Sequence, residues 1–326
     1  MHAAWYETCG AARDVLKLGE MPTPKAGPGE VRVRLYASGV NPFDVKNRQG
    51  LRQKMAFPKI IPHCDGAGVI DEVGEGVPAT RIGERVWVFN AQWQRAHGTA
   101  AEWIVLPQAF AAPLPEDTGF VEGACLGIPA MTAHRAVFSD GLVTGSTILV
   151  TGGAGGVGFY AIQLAKWGGA KVLATISSEA KAKIATDAGA DHVINYRTEN
   201  VVERVMDLTG DKGVDRIVEV DFGANLKTSG RVLKVNGVIA AYASMGDAEP
   251  KLPFYPLMFG NVNLRLVAVF LIPYAARRKA ISDINRCCSE GILKHRAKSL
   301  PLDQIVEAHE AVESGKEVER IILEIG

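Results

Sequence analysis

The chain has 326 residues, 47% of them hydrophobic and 22% charged, with 36 basic side chains against 36 acidic ones. That length predicts two domains, each burying its own core, and the zero balance excludes a broadly basic nucleic-acid binder. No apolar run reaches the roughly 18 residues needed to span a bilayer, and the start lacks the charged-then-apolar layout of a secretory leader, so a cytoplasmic protein is expected.

Residues 1–122 carry short alternating runs broken by glycine and proline. At 30–36, Val31, Val33 and Leu35 alternate with Arg32, Arg34 and Tyr36, the period-two mark of a half-buried strand. Residues 66–73, 84–89 and 100–106 read similarly. Residues 123–270 then alternate apolar strands, at 147–151, 171–176, 192–196, 214–220, 237–242 and 264–270, with segments of helical length. Six strands with crossover helices predict an α/β, doubly wound parallel sheet. A helix around Ile305–Ser314 and a strand around Val318–Ile325 return to the first texture, so residues 1–122 and 271–326 are assigned to one domain and 123–270 to an inserted one.

Five cysteines, Cys9, Cys64, Cys125, Cys287 and Cys288, form no C-x-x-C pair and suggest neither a disulfide framework nor a four-thiolate zinc site. Cys287 and Cys288 read as buried helix residues, with a redox-sensing pair as the alternative.

The sharpest local signal follows the strand at 147–151. Gly153, Gly155 and Gly158 fit G-x-G-x-x-G, and Gly152 with Gly155 and Gly158 fits a shifted frame. Strand, glycine turn and helix occur in the order that lets backbone approach a pyrophosphate at a helix N-terminus. Gly153, Ala154, Gly155, Gly156, Val157 and Gly158 are therefore assigned to a dinucleotide. The second strand runs into Ser177 and Ser178 with no acid at its tip, where a carboxylate for a ribose hydroxyl would sit. Lys181 follows, and Tyr196 ends the next strand. Hydroxyls and a cation suit a 2′-phosphate, which predicts NADPH through Ser177, Lys181 and Tyr196. Glu179 nearby reads as a residue that complements a helix dipole.

Together these segments resemble the medium-chain dehydrogenase/reductase superfamily and, within it, the zinc-free quinone oxidoreductases of the ζ-crystallin type. Residues 37–50, 64–70, 83–86 and 149–166 carry the likeness in order. It implies a GroES-like first domain, an inserted Rossmann domain and a homodimer. The apolar strand at 261–270 points to a dimer too, because an open sheet edge invites pairing across a two-fold axis.

The resemblance places the superfamily's catalytic zinc ligands at Asn41, Cys64 and Ile128. One potential ligand in three cannot hold a catalytic zinc, so no metal is expected despite His63, Asp65 and Cys125 nearby. Without a Lewis acid, the acceptor must take hydride readily, as quinones and α,β-unsaturated carbonyls do. The resemblance puts Asn41 and Asp44 at the nicotinamide end of the cleft, orienting substrate or cofactor, with an Asx-type turn as their alternative. It places Thr132 near the cofactor. Lys46, where ζ-crystallins commonly carry tyrosine, is similar to the alkenal/enone oxidoreductase branch. Its ammonium is the candidate stabiliser of a developing enolate, with Arg48 as the rival. A small-molecule substrate, no nucleic acid and no membrane are expected, and a non-catalytic NADPH-binding redox sensor or structural protein is the alternative function.

Overall fold

The alternation at 30–36 becomes a ten-residue strand, Glu30–Gly39, in the computed structural model, which describes residues 1–51 and 54–326. Val31, Val33 and Leu35 face inward at 0–1% exposure while Arg34 stands in solvent. Burying each such side chain contributes about 1.5–3 kcal/mol, which fixes the register of the strand. It pairs antiparallel with Asp65–Val73, Trp103–Pro107 and Arg320–Glu324. The sheet continues to Arg85–Val88 and Ala111–Pro113 on one side and to Ala297–Pro301 on the other. One core gathers Val33, Leu35, Ile70, Val86 and Ile104, and another gathers Val40, Ile61, Ile305 and Leu323.

These elements belong to a unit comprising Met1–Ile128, Asn285–Gly291 and His295–Gly326, and a second unit comprises Pro129–Ile284 and Ile292–Lys294. The divisions fall later than the sequence boundaries of 122 and 270. Residues 120–128 stay with the first unit because Phe120 stacks on Tyr36 at 4.7 Å and the Ile128 N–H bonds to Asp65 at 2.9 Å. Residues 271–284 stay with the second because Asp283, on the helix Tyr274–Ser289, pairs with His134 at 2.7 Å. Cys287 and Cys288 are buried on that helix at 0% and 8% exposure. Burial pushes the Cys288 thiol up to about 12, far from the thiolate a redox sensor needs.

The second unit holds a six-stranded sheet, all parallel, in the spatial order His192–Asn195, Lys171–Ile176, Thr147–Val150, Val214–Glu219, Leu233–Ala241, Asn263–Leu266. In chain order this is the 3-2-1-4-5-6 arrangement of a Rossmann fold, with its switch point between the first and fourth strands. The last strand is shorter than the apolar run at 264–270. Only Asn263–Leu266 pairs with its neighbour, and Val269–Leu271 turns into a 3₁₀ segment. Gln163, deep in the helix Gly156–Trp167, ties the loop at 292–294 to this unit: its side chain accepts from the Lys294 N–H at 2.6 Å and donates to the Lys294 carbonyl at 3.3 Å.

Candidate active site

In the second unit, the turn after Thr147–Val150 uses the shifted glycine frame. Gly152 has φ +65°, a backbone region that suits glycine. Gly155 is the N-cap of Gly156–Trp167 with no side-chain cap, so the first N–H groups of the helix lack an intrahelical acceptor. Gly158 lets helix and turn close up: a Cβ there would lie 2.4 Å from the Gly152 carbonyl oxygen. The expected cofactor residues Gly153–Gly158 are thus brought into one turn at a helix N-terminus.

Ser177, Lys181 and Tyr196 gather at the C-terminal ends of two neighbouring strands. Ser177 follows Lys171–Ile176, and the Tyr196 N–H bonds to the Ile176 carbonyl at 3.1 Å. Ser178 caps the helix Glu179–Asp187, accepting from the Lys181 N–H at 3.4 Å, which sets Lys181 one turn beyond. Tyr196 is 52% exposed. Glu179 lies in the first turn of the helix, as a dipole partner does. Thr132 is buried on the helix Gly127–Phe138, and among the described residues no hydrogen bond joins its hydroxyl to the glycine turn.

In the first unit, Asn41 is the N-cap of Pro42–Gln49, and its carboxamide is committed at both ends. Nδ2 donates to Asp65 Oδ2 at 2.9 Å, and Oδ1 accepts from Arg320 Nη1 at 2.8 Å. The Ile128 N–H donates to the same Asp65 carboxylate, and Arg320 Nη2 stands 3.5 Å from it. Asn41 and Ile128, two of the three positions that the resemblance expects at a zinc, are therefore held together by the Asp65 carboxylate, with the Arg320 guanidinium bonded to Asn41. Cys64, the third, is buried, and its thiol is pushed well above the ordinary range by burial and by Asp44 and Asp65. Among the described residues, no group of three or more His, Cys, Asp or Glu side chains is placed to hold a metal ion.

Asp44 is buried, and its Oδ2 accepts from the Asn41 N–H at 2.8 Å. Burial, then Asp65, pushes its carboxyl up to about 7, and burial pushes Asp65 up to about 6. Lys46, two residues further along the helix, is half-buried. Arg48 is not available to substrate: it is fully buried, paired with Glu313 and donating to the Gly10 carbonyl. Phe43, on the first turn, packs against Trp93 at 6.0 Å between ring centroids.

Two features escaped the sequence reading. His63, at φ +80° and fully buried, begins a chain of polar contacts: Nδ1 to Ser38 at 2.8 Å, Nε2 to His309 Nε2 at 2.9 Å. Ser38 meets Thr99, whose hydroxyl donates to the Asp65 carbonyl at 2.6 Å. Running the protons back from that carbonyl makes His63 Nδ1 a donor and His309 Nε2 the donor to His63. The other is Glu219, a buried carboxylate ending the fourth Rossmann strand.

Residues 27–116 match the family model for the alcohol dehydrogenase GroES-like domain, and residues 156–285 the model for zinc-binding dehydrogenases. Over 95% of its length the chain is 31% identical to the quinone oxidoreductase of Rattus norvegicus, covering 94% of that protein. The chain belongs to the quinone oxidoreductase family. A 2-haloacrylate reductase of a Burkholderia species is 29% identical over 93% of both chains. Among solved structures, an NAD-dependent alcohol dehydrogenase superposes with TM-score 0.90 at 30% identity, covering 100% of both chains. A mycobacterial protein complexed with NADPH superposes with TM-score 0.87 at 26% identity, again over 100% of both. This quinone oxidoreductase family member thus carries a GroES-like unit and a Rossmann unit.

Proposed function

We propose that the protein is an NADPH-dependent, metal-independent oxidoreductase that transfers hydride to quinones or α,β-unsaturated carbonyls. The observation that carries the reading is that Asn41 and Ile128, two of the three positions the resemblance aligns with catalytic zinc ligands, are committed to Asp65 and, for Asn41, Arg320. A site without a Lewis acid suits acceptors whose conjugation spreads charge from the hydride-accepting carbon to an oxygen. Similarity to a quinone oxidoreductase and to a 2-haloacrylate reductase supports this acceptor class.

NADPH, when bound, supplies the hydride. The glycine turn 152–158 takes its pyrophosphate, and Ser177, Lys181 and Tyr196 meet the 2′-phosphate with hydroxyls and a cation. Similarity to a protein complexed with NADPH favours this choice over NADH, while an NAD-dependent alcohol dehydrogenase at 30% identity makes the comparison of the two cofactors necessary. Asn41 and Asp44 hold the start of the helix Pro42–Gln49 in place. Lys46 on that helix meets the negative charge that develops on the acceptor oxygen, the rival Arg48 being spent on Glu313.

The protein works as a homodimer paired through the edge strand Asn263–Leu266. Leu266 is 71% exposed and Phe259 76%, side chains that a second copy would cover. A monomeric mass at micromolar concentration would contradict the pairing. The function itself is tested by following NADPH oxidation against a panel of quinones, enones and simple ketones, with NADH in parallel. Turnover of quinones or enones with NADPH, and none with simple ketones, is the expected pattern. Turnover confined to simple ketones, or NADH used as well as NADPH, would overturn the reading.

A further inference from the structure

The first and fourth Rossmann strands lie side by side, Val150 opposite Val218, and part beyond their ends at the switch point. At that fork sits Glu219, 0% exposed, with four donors converging on it. Oε1 accepts from the Thr151 hydroxyl at 2.8 Å, the Asp221 N–H at 2.7 Å and Asn225 Nδ2 at 2.8 Å, and Oε2 accepts from the Ser229 hydroxyl at 3.2 Å. These donors come from just beyond the first strand and from the N-cap, first turn and third turn of the helix Phe222–Val232. Hydroxyl and amide donors, rather than a cation, satisfy the carboxylate, so its place is set by the loops it joins.

The Thr151 hydroxyl also accepts from the Val220 N–H at 2.9 Å, which closes a ring between the two strand ends. Gly152 comes next in the chain and lies directly against Val220: a Cβ on it would be 3.1 Å from Val220 Cγ1. The two residues that flank Gly152, one in sequence and one in space, are thus both held through Glu219. We infer that Glu219, acting through Thr151, is a positioning residue that fixes the glycine turn in the conformation that receives the cofactor's phosphates. The inference rests on the dinucleotide reading of that turn.

Two variants test it, with NADPH titrated by fluorescence and steady-state kinetics run on the full-length protein. Thr151→Val keeps the volume and removes the hydroxyl that links Glu219 to Val220. The NADPH dissociation constant should rise roughly tenfold, the scale of one lost buried hydrogen-bond partner, and Thr151→Ser should restore it. At saturating NADPH, kcat and the KM for the quinone should stay within about twofold, because the turn and not the acceptor site is disturbed. Should Thr151→Val fail to fold, Glu219→Gln decides by sign. Removing a negative charge near an anionic ligand would by itself tighten binding, whereas weaker hydrogen bonds to a neutral acceptor loosen the turn. Positioning predicts that Glu219→Gln raises the dissociation constant several-fold. Unchanged or tighter NADPH binding in either variant, whatever its melting temperature, overturns the inference. A wild-type protein that binds no dinucleotide overturns the cofactor reading and this inference together.

Discussion

Gly158→Ala is the smallest change that separates the shifted glycine frame from a turn of no functional consequence. The added Cβ would lie 2.4 Å from the Gly152 carbonyl oxygen and 3.0 Å from the Gly153 Cα, both backbone atoms that no side-chain rotation can relieve. Helix and turn must separate by roughly half an ångström or more, and overpacking of this kind costs about 1–3 kcal/mol. The displaced residues belong to the turn whose N–H groups are expected to face the pyrophosphate, so the loss should appear in NADPH binding as well as in stability. A rise of roughly tenfold in the dissociation constant, equivalent to about 1.4 kcal/mol, is expected by fluorescence titration, alongside a lower melting temperature. Gly155→Ala is the control for stability, since its Cβ would meet only the Gly152 oxygen at 3.3 Å and its φ of −75° is open to alanine. If Gly158→Ala binds NADPH as the wild type does, the turn is not where the pyrophosphate sits and the reasoning fails.

Lys181→Ala should cost NADPH about tenfold in affinity and leave NADH unchanged, measured by parallel titrations; an equal effect on both cofactors would remove Lys181 from the 2′-phosphate site. Lys46→Met should lower turnover of enones by roughly tenfold while NADPH affinity holds, and wild-type turnover would remove Lys46 from the reaction. The buried histidines should make the fold acid-sensitive. Burial, with Arg320 nearby, lowers His63 from 6.5 to about 3, so an unfolded chain takes up a proton below pH 6.5 that the folded one refuses until about pH 3. Its contribution to stability is therefore complete above pH 6.5 and shrinks as the pH falls toward 3. Asp44 and Asp65, raised to about 7 and 6, act in the opposite sense, favouring the fold at low pH and losing that contribution as pH rises through those values. Denaturation of His63→Gly, a residue suited to φ +80°, should lose about 1.4 kcal/mol per pH unit of slope between pH 6 and 4, and an unchanged slope would contradict the assignment.

What could be read from the sequence was local in the chain or repeated along it. The alternation of Val31, Val33 and Leu35 and the strand–glycine–helix order at 147–166 place their own elements, because burial and backbone freedom act within a few residues. The polar cluster was not legible in that way. Asn41 meets Arg320 across 279 residues and His63 meets His309 across 246, contacts with no periodic signature. Arg48 looked like a rival to Lys46 because helical spacing does not show which cation a distant Glu313 will claim. Glu219 ends an apolar strand and resembles any strand-terminal acid until the Thr151 and Asn225 side chains are seen to converge on it. The edge strand was overextended from 266 to 270 because an apolar run marks burial or association, not where pairing stops.

The central claim is hydride transfer from NADPH without a metal at the site built from Asn41, Asp65, Ile128 and Arg320. The most direct measurement is NADPH oxidation by a quinone with protein dialysed against a strong chelator, its zinc content determined by elemental analysis on the same sample. Full activity with far less than one zinc per chain is the predicted result. Activity that disappears on chelation and returns with stoichiometric zinc would contradict it.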